Sequence, residues 1–413
     1  MTPPRQSLPS PGGAGPFFGV GLRLMGAVFF ARFMVDTGTR FLYPFIPQIS
    51  AGLKLPVAAF GWLLFSRSIV GVAGPLFGVW ADRYGRRAVM TAAALALSVG
   101  ALGLALARQW WAALPIVLAG LGTAAFIPAQ QAYIGDLAPG HKRGRAMGAV
   151  EFSWSAAAIL ALPVAGRLVE RFGWRTPLFI LSLFSLAGAA VVWRQLPPAA
   201  GSRTQAGLSW AEIRTVCLKK NVLAAIGVAF FLFAGATAFF TLWGIWLAAD
   251  FGFDAAAIGL VATGVGVAEL ARAGFSSLAI DRIGKKRGSG LALVTLVAGF
   301  ALLPLAQRSK PAAVTALVGL SALLEFAIVS LLPLYSEQAP QARGTALSLV
   351  FLGVAAGSGL GAPLATTLWN RFGPAAVAAA ITLCLLAALA LTLTFLREAP
   401  LSAAQTPPTG GPQ

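Results

Sequence analysis

The sequence predicts an all-α polytopic membrane protein, with twelve transmembrane helices forming two six-helix repeats around a central cavity. Three observations carry this. Of 413 residues, 58% are hydrophobic and 11% charged, with mean hydropathy +0.79, where a soluble chain carries about a quarter charged residues. Apolar runs of the ~20 residues that cross a bilayer as a helix recur along the chain. Finally, three loops of the first half return in register in the second. ADRYGRR at 81–87 answers to IDRIGKKR at 280–287, APGHKRGRAMGAVEF at 138–152 to APQARGTALSLVFLG at 339–353, and ERFGWRTPLF at 170–179 to NRFGPAAV at 370–377. Duplication of a six-helix unit accounts for all three. The alternating pattern of a membrane barrel is not seen.

Taken in order, residues 1–19 are rich in Pro and Gly and read as a disordered cytoplasmic tail. The N-terminal bundle, 20–195, holds spans at about 20–48, 57–80, 88–107, 111–136, 144–169 and 173–195. Residues 196–220 are the long polar break, a cytoplasmic linker in which Trp210, Ile213 and Val216 recur at helical spacing and predict a short surface helix. The C-terminal bundle, 221–397, holds spans at about 221–250, 255–279, 287–307, 311–337, 343–369 and 373–397. Residues 398–413 form a second disordered cytoplasmic tail. The first apolar segment is too long and too charged for a signal peptide.

A net charge of +18 would suggest nucleic acid in a soluble chain. Here the basic residues are spread over loops, with the larger share on the side that holds both termini. That side is cytoplasmic by the positive-inside rule, so the chain is expected to be multi-pass in a bacterial-type cell inner membrane. Cys217 and Cys384 predict no disulfide framework, and one histidine, His141, leaves little material for a metal site or His-based catalysis. No cofactor is implied. No nucleotide-binding loop is present, which excludes ATP as the energy source.

Between the second and third spans lies GVWADRYGRR, Gly78 to Arg87. This loop resembles the signature loop of the major facilitator superfamily, and the likeness extends over roughly residues 20–397. The resemblance implies a conformational latch built from Gly78, Asp82, Arg83, Gly85 and Arg86. Asp82 would face the N-terminal end of span 11 near Arg343 and Gly344, where an anion is worth ~0.3–2 kcal/mol, and Arg86 would reach Asp136. Gly78 and Gly85 would allow close approach and a tight turn. Asp281, Arg282 and Lys285 would repeat the latch near Gly144. For Arg87, Lys286 and Arg287 the expected role is topology alone.

Arg32, Asp36 and Arg40 share one face of span 1, so Asp36 is bracketed by two cations. Uncompensated charge at membrane depth costs ~2.5–3.5 kcal/mol, so this face must meet a cavity or partners. Asp36 followed by Pro44 and Pro47 resembles span 1 of the drug/proton antiporters of the superfamily, from which Arg40 departs. Their span 5 pattern survives partly as Pro163 and Gly166, while their span 4 arginine is replaced by Ile116, with Gln130, Gln131 and Tyr133 offered instead. Arg67 lies mid-span 2. Glu269 and Arg272, three apart, read as a structural ion pair. Most aromatic residues of span 7 are expected against lipid or neighbours, with Trp246 in an interfacial belt.

Substrate or proton binding is therefore expected among Arg32, Asp36, Arg40, Arg67, Gln130, Tyr133, Glu151, Glu269, Arg272 and Glu325. Glu325 is the favoured proton carrier: it lies mid-span 10 with no cation three or four residues away, and Glu151 is second. The expected function is secondary-active transport of a small molecule by alternating access, as proton-coupled export of an amphipathic compound. Proton-coupled uptake or exchange of a small organic anion is the alternative, and a non-transporting receptor or enzyme a third. The expected partners are the substrate, protons and the lipid bilayer, with no nucleic acid and a monomeric state.

Overall fold

The computed structural model describes residues 20–139, 142–197, 210–339 and 342–398; the two expected tails lie largely outside them. Ten helices among the described residues are long and apolar enough to span a bilayer, and an eleventh passes when Ile46–Leu53 and Val57–Ala73, bent by 103°, are joined. Hydropathy undercounts for a local reason. Leu22–Phe41 carries Arg23, Arg32, Asp36 and Arg40, and is a span by position but not by composition.

Span 1 is drawn at 20–48 from sequence but is broken. Leu22–Phe41 gives way to a turn ahead of Pro47, then continues as Ile46–Leu53. Span 2 runs Val57–Ile69, tightens into a 3₁₀ turn at Val70–Ala73, and resumes as Gly74–Tyr84. Spans 3 and 4 are Arg86–Leu106 and Gln109–Leu137. Span 5, Arg143–Phe172, widens into a π-turn at Ala157–Ala161 just before Pro163, whose ring and missing N–H disturb the hydrogen-bond ladder. Span 6 is Arg175–Gln195. Spans 7 to 12 are Lys220–Phe251, Ala255–Ile283, Lys285–Arg308, Lys310–Ser336, Arg343–Phe372 and Pro374–Phe395.

The repeats share their turn chemistry. Gly85 and Gly284 close the two Asp-Arg-x-Gly loops at φ 88° and 90°, and Gly173 and Gly373 close the next pair at 86° and 77°. These values lie where only glycine is unstrained. Gly78 does not share that role, since it lies within the helix Gly74–Tyr84, and with nothing within 4 Å of where its Cβ would be it makes no close approach in this conformation.

Within the C-terminal half, Gly353, Gly357 and Gly361 lie over the backbone of Ile226, Phe230 and Ala234, so spans 7 and 11 touch along a four-residue ladder. Between the halves, the close approaches include Gly244 on Pro44, Gly61 on Pro363 and Thr366, Gly166 and Gly259 on the facing turns of spans 8 and 5, and Gly266 on Ser155 and Ala158. All lie at one end or near mid-depth. At that Pro44 end, apolar residues of both halves form one core. At the Asp82 end, the N-terminal half keeps a separate core running from Val20 to Leu196. The halves are therefore joined at the Pro44 end and parted at the Asp82 end.

Two expectations are corrected here. Trp246 is buried against Phe251 rather than set in an interfacial belt, and Trp243 and Phe239 are buried with it. The linker helix forms at Trp210–Cys217, but its Val216 packs on Ala339 and Ala346 of the C-terminal half instead of lying free on the membrane.

Candidate functional site

Span 1 brings its charged face to the middle of the molecule. Arg32 Nε donates to both Asp36 oxygens at 2.9 and 3.0 Å, its Nη1 to Gln130 Oε1 at 2.8 Å, and its Nη2 to Glu151 Oε2 at 3.1 Å. Ser153 Oγ donates to Asp36 at 2.5 Å, and Gln131 to Glu151 at 3.3 Å. Spans 1, 4 and 5 are thus tied by one polar network around a single arginine. Asp36 and Gln130 are buried, while the Glu151 side chain is 46% exposed toward the parted end. Pairing every charge in this way offsets much of the cost of charge at membrane depth, although among the described residues the buried Gln130 Nε2 finds no hydrogen-bond partner.

Arg40 is not part of it, which corrects the bracketed Asp36. One turn beyond, Arg40 leaves the N-terminal half and donates to both oxygens of Glu269 on span 8, at 2.7 and 3.2 Å. Its guanidinium lies 4.5 Å from the ring centroid of Trp154, favourable for cation–π contact. A small cavity at this point is bounded by Arg40, Tyr43, Pro44, Trp154, Phe240 and Trp243. The expected Glu269–Arg272 ion pair is replaced: Glu269 is held by Arg40, and Arg272 lies over the Phe326 ring at 5.3 Å.

Glu325 is half-buried on span 10 and close enough to feel the charges of Glu269, Arg40 and Glu151. It makes no hydrogen bond or ion pair among the described residues. The lack of a cation on its own helix is therefore not the whole of its surroundings, since Arg40 approaches from span 1. Arg67 is buried and donates to Thr39 Oγ1 at 2.8 Å. Tyr133 is removed from the substrate candidates. It is fully buried and its hydroxyl donates to Pro197 O at 3.3 Å, anchoring the segment after span 6.

At the Asp82 end, Arg86 pairs with Asp136 and donates to Ala132 O, binding the ends of spans 2 to 4. Among the described residues Asp82 makes no contact with span 11, whose first side chains lie outside them. Its side chain is 53% exposed and its ion-pair contact is Arg86 at 3.9 Å, because the halves are parted at this end. Arg83 is exposed, lying over Tyr84. Arg87 does more than set topology, since it stacks on Trp193 at 4.4 Å and donates to Leu196 O.

Lys285 likewise turns inward within its own half rather than to Gly144. It pairs with Glu337 at the end of span 10, the counterpart of Asp136 at the end of span 4. The side chains of Asp281, Arg282 and Arg343 lie outside the described residues.

Sequence reasoning missed Glu337, although the repeat that aligns the two loops pointed to it. It also missed Glu398, whose oxygens accept the Lys285 and Lys286 backbone N–H groups at 2.7 and 3.2 Å and cap span 9. A third omission is Glu170 at the Pro44 end, whose Oε2 accepts the Ala255 N–H that opens span 8, at 3.2 Å.

A family model for the Major Facilitator Superfamily matches residues 28–245 and again 224–413. The chain is 26% identical over 355 residues to the uncharacterized MFS-type transporter YceJ of Bacillus subtilis (strain 168), covering 83% of this chain and 88% of that one. It is 27% identical over 294 residues to the multi-drug resistance efflux pump PmrA homolog of Lactococcus lactis subsp. lactis (strain IL1403), covering 68% and 71%. The solved D-xylose-proton symporter shares the fold at TM-score 0.72 and 18% identity, over 91% of this chain and 96% of that one. A bacterial homolog of the human lysosomal transporter Spinster, solved inward-facing and unoccupied, does so at TM-score 0.68 and 16% identity, over 93% and 96%. With the family model covering both halves and the same helical fold in solved transporters, the chain belongs to the Major Facilitator Superfamily of membrane transporters, which are not enzymes.

Proposed function

We propose that this transporter exports an amphipathic compound in exchange for protons, by alternating access, with Glu325 as the coupling acid. The observation that carries the reading is the contrast among the central carboxylates. Asp36 and Glu151 are held by Arg32, and Glu269 by Arg40, whereas Glu325 has no hydrogen bond or ion pair among the described residues. A proton carrier must change charge without dismantling the scaffold, and Glu325 alone of the four meets that requirement. Aromatic side chains of Tyr43, Trp154, Phe240 and Trp243 close around a cavity of only ≈ 20 Å³ beside Arg40, and they would offer an apolar wall to the substrate as the halves move apart there. Likeness to an efflux pump supports the outward direction.

The halves, 20–195 and 221–397, rock about the Arg40–Glu269 junction. The positive-inside rule puts the Asp82 end and both termini in the cytoplasm, so the parted conformation faces inward, in a monomer of the cell membrane. Protonated Glu325 needs no partner, and its ionised form competes with Glu269 for Arg40. Loading and release of the proton thereby bear on the contact that joins the halves.

The test begins with thermal melts of the purified protein against a metabolite and drug panel, which identify a stabilising compound. That compound is then followed in proteoliposomes under an imposed pH gradient. Glu325→Gln abolishes gradient-driven accumulation and retains exchange at equal pH. Accumulation against a gradient by the variant refutes the coupling role.

A further inference from the structure

Arg67 is a mid-span arginine that neither of the two carboxylate clusters uses. It is 9% exposed, and its hydrogen bond is to the neutral Thr39 Oγ1. Its neighbours hold it deliberately. Thr39 donates its own proton to Val35 O at 3.0 Å, leaving its oxygen lone pairs for Arg67. Gly120 of span 4 has no side chain where the Arg67 stem and carbonyl pass, and a Cβ there would lie 2.9 Å from Arg67 Cγ. The result is a guanidinium fixed in orientation, with most of its five donors unused. Among the described residues no carboxylate meets it. Its other nitrogens are not fully enclosed by protein.

A buried cation without a counter-charge is costly in a membrane and marks a site for a charged partner. The planar fork matches the geometry of a carboxylate. Depth narrows the choice. Arg67 lies about ten residues, or ~15 Å, into span 2, near the middle of a hydrocarbon core ~30 Å thick, out of reach of lipid phosphates. Thr39 stands between Asp36 and Arg40 on span 1, so its hydrogen bond sets Arg67 beside the stretch of span 1 that carries both carboxylate clusters.

We propose that Arg67 is the anion-binding residue of the transport site and takes the carboxylate of the exported amphiphile. This rests on the amphiphile reading above and adds the sign of the substrate's charge. An acidic head seated on Arg67 leaves the apolar body toward Trp154 and Phe240. It also leaves Glu325 unneutralised by substrate, so proton and substrate occupy separate groups.

Three probes with one apolar body test it, in nanodiscs holding the full-length protein: 1-naphthoate, 1-naphthol and 1-naphthylmethylammonium. The expected result is stabilisation by 1-naphthoate and none by the ammonium. Arg67→Gln weakens 1-naphthoate binding by about tenfold or more, the scale of a lost charged hydrogen bond, and Arg67→Lys retains part of it. Thr39→Val keeps the charge but releases its orientation, and falls between. If Arg67→Gln fails to fold, Arg67→Lys and Thr39→Val decide. Equal binding of the ammonium, undiminished 1-naphthoate binding in the variants, or no binding of any probe overturns the proposal. Stabilisation by sodium chloride with no preference for 1-naphthoate also overturns it, assigning the residue to an inorganic anion. The binding assay imposes no gradient, so loss of proton coupling in Glu325→Gln and loss of anion selectivity here are separate outcomes.

Discussion

Arg40 of the N-terminal half and Glu269 of the C-terminal half form a two-pronged ion pair at 2.7 and 3.2 Å, with side chains 6% and 1% exposed. Removing one member strands a buried charge, at a cost of about 3–5 kcal/mol, whereas removing both costs far less. Arg40→Met and Glu269→Gln should each lower the melting temperature of the detergent-purified protein, and the double variant should recover much of the loss. Additive losses would show that the two side chains do not depend on each other.

Asp36 carries a different load. Its oxygens accept from Arg32 and Ser153 inside one half, so its work is to hold span 1 on span 5. Asp36→Asn should reduce the yield of monodisperse protein on size exclusion by leaving Arg32 with a half-exposed Glu151 and a neutral amide. A well-folded variant that loses only proton dependence would assign the coupling role to Asp36 instead.

Glu170 caps the N-terminus of span 8 across the Pro44 end. An anion there contributes ~0.3–2 kcal/mol through the helix dipole and its orphan N–H groups, enough to bias a two-state equilibrium several-fold. In a background lacking Cys217 and Cys384, a cysteine replacing Tyr43 reports opening of that end. Glu170→Gln should raise its labelling by a membrane-impermeant thiol reagent. Labelling at the parental rate would remove Glu170 from the gate.

Asp82 touches its own half through Arg86 in this conformation. Its contribution to stability should appear when the Asp82 end closes and span 11 approaches. Asp82→Asn should therefore leave the parted form intact and deplete the closed one. A cysteine at exposed Gln131 would label faster in the variant than in the parent, and unchanged labelling would dismiss the latch.

The spans, the repeat and the turn glycines were legible because each is written locally. Apolar run length, loop charge and the Asp-Arg-x-Gly spacing require no knowledge of what lies across the molecule, and Gly85 and Gly284 adopt their backbone angles within four residues of the signal that predicts them. The same locality misled where charge was concerned. Arg40 sits one turn from Asp36, and Glu269 three residues from Arg272, so helical spacing matched each with the partner beside it. The observed pair spans 229 residues. Arg32 had already satisfied Asp36 with its Nε, leaving Arg40 to turn toward the other half. Glu170 reads as an ordinary surface acid until span 8 is set against it, and Tyr133 as a cavity residue until the segment after span 6 folds over it. Which acid meets which arginine depends on how two bundles pack. Helical period carries no information about that distance, because it describes one helix at a time and the electrostatic balance is struck between several.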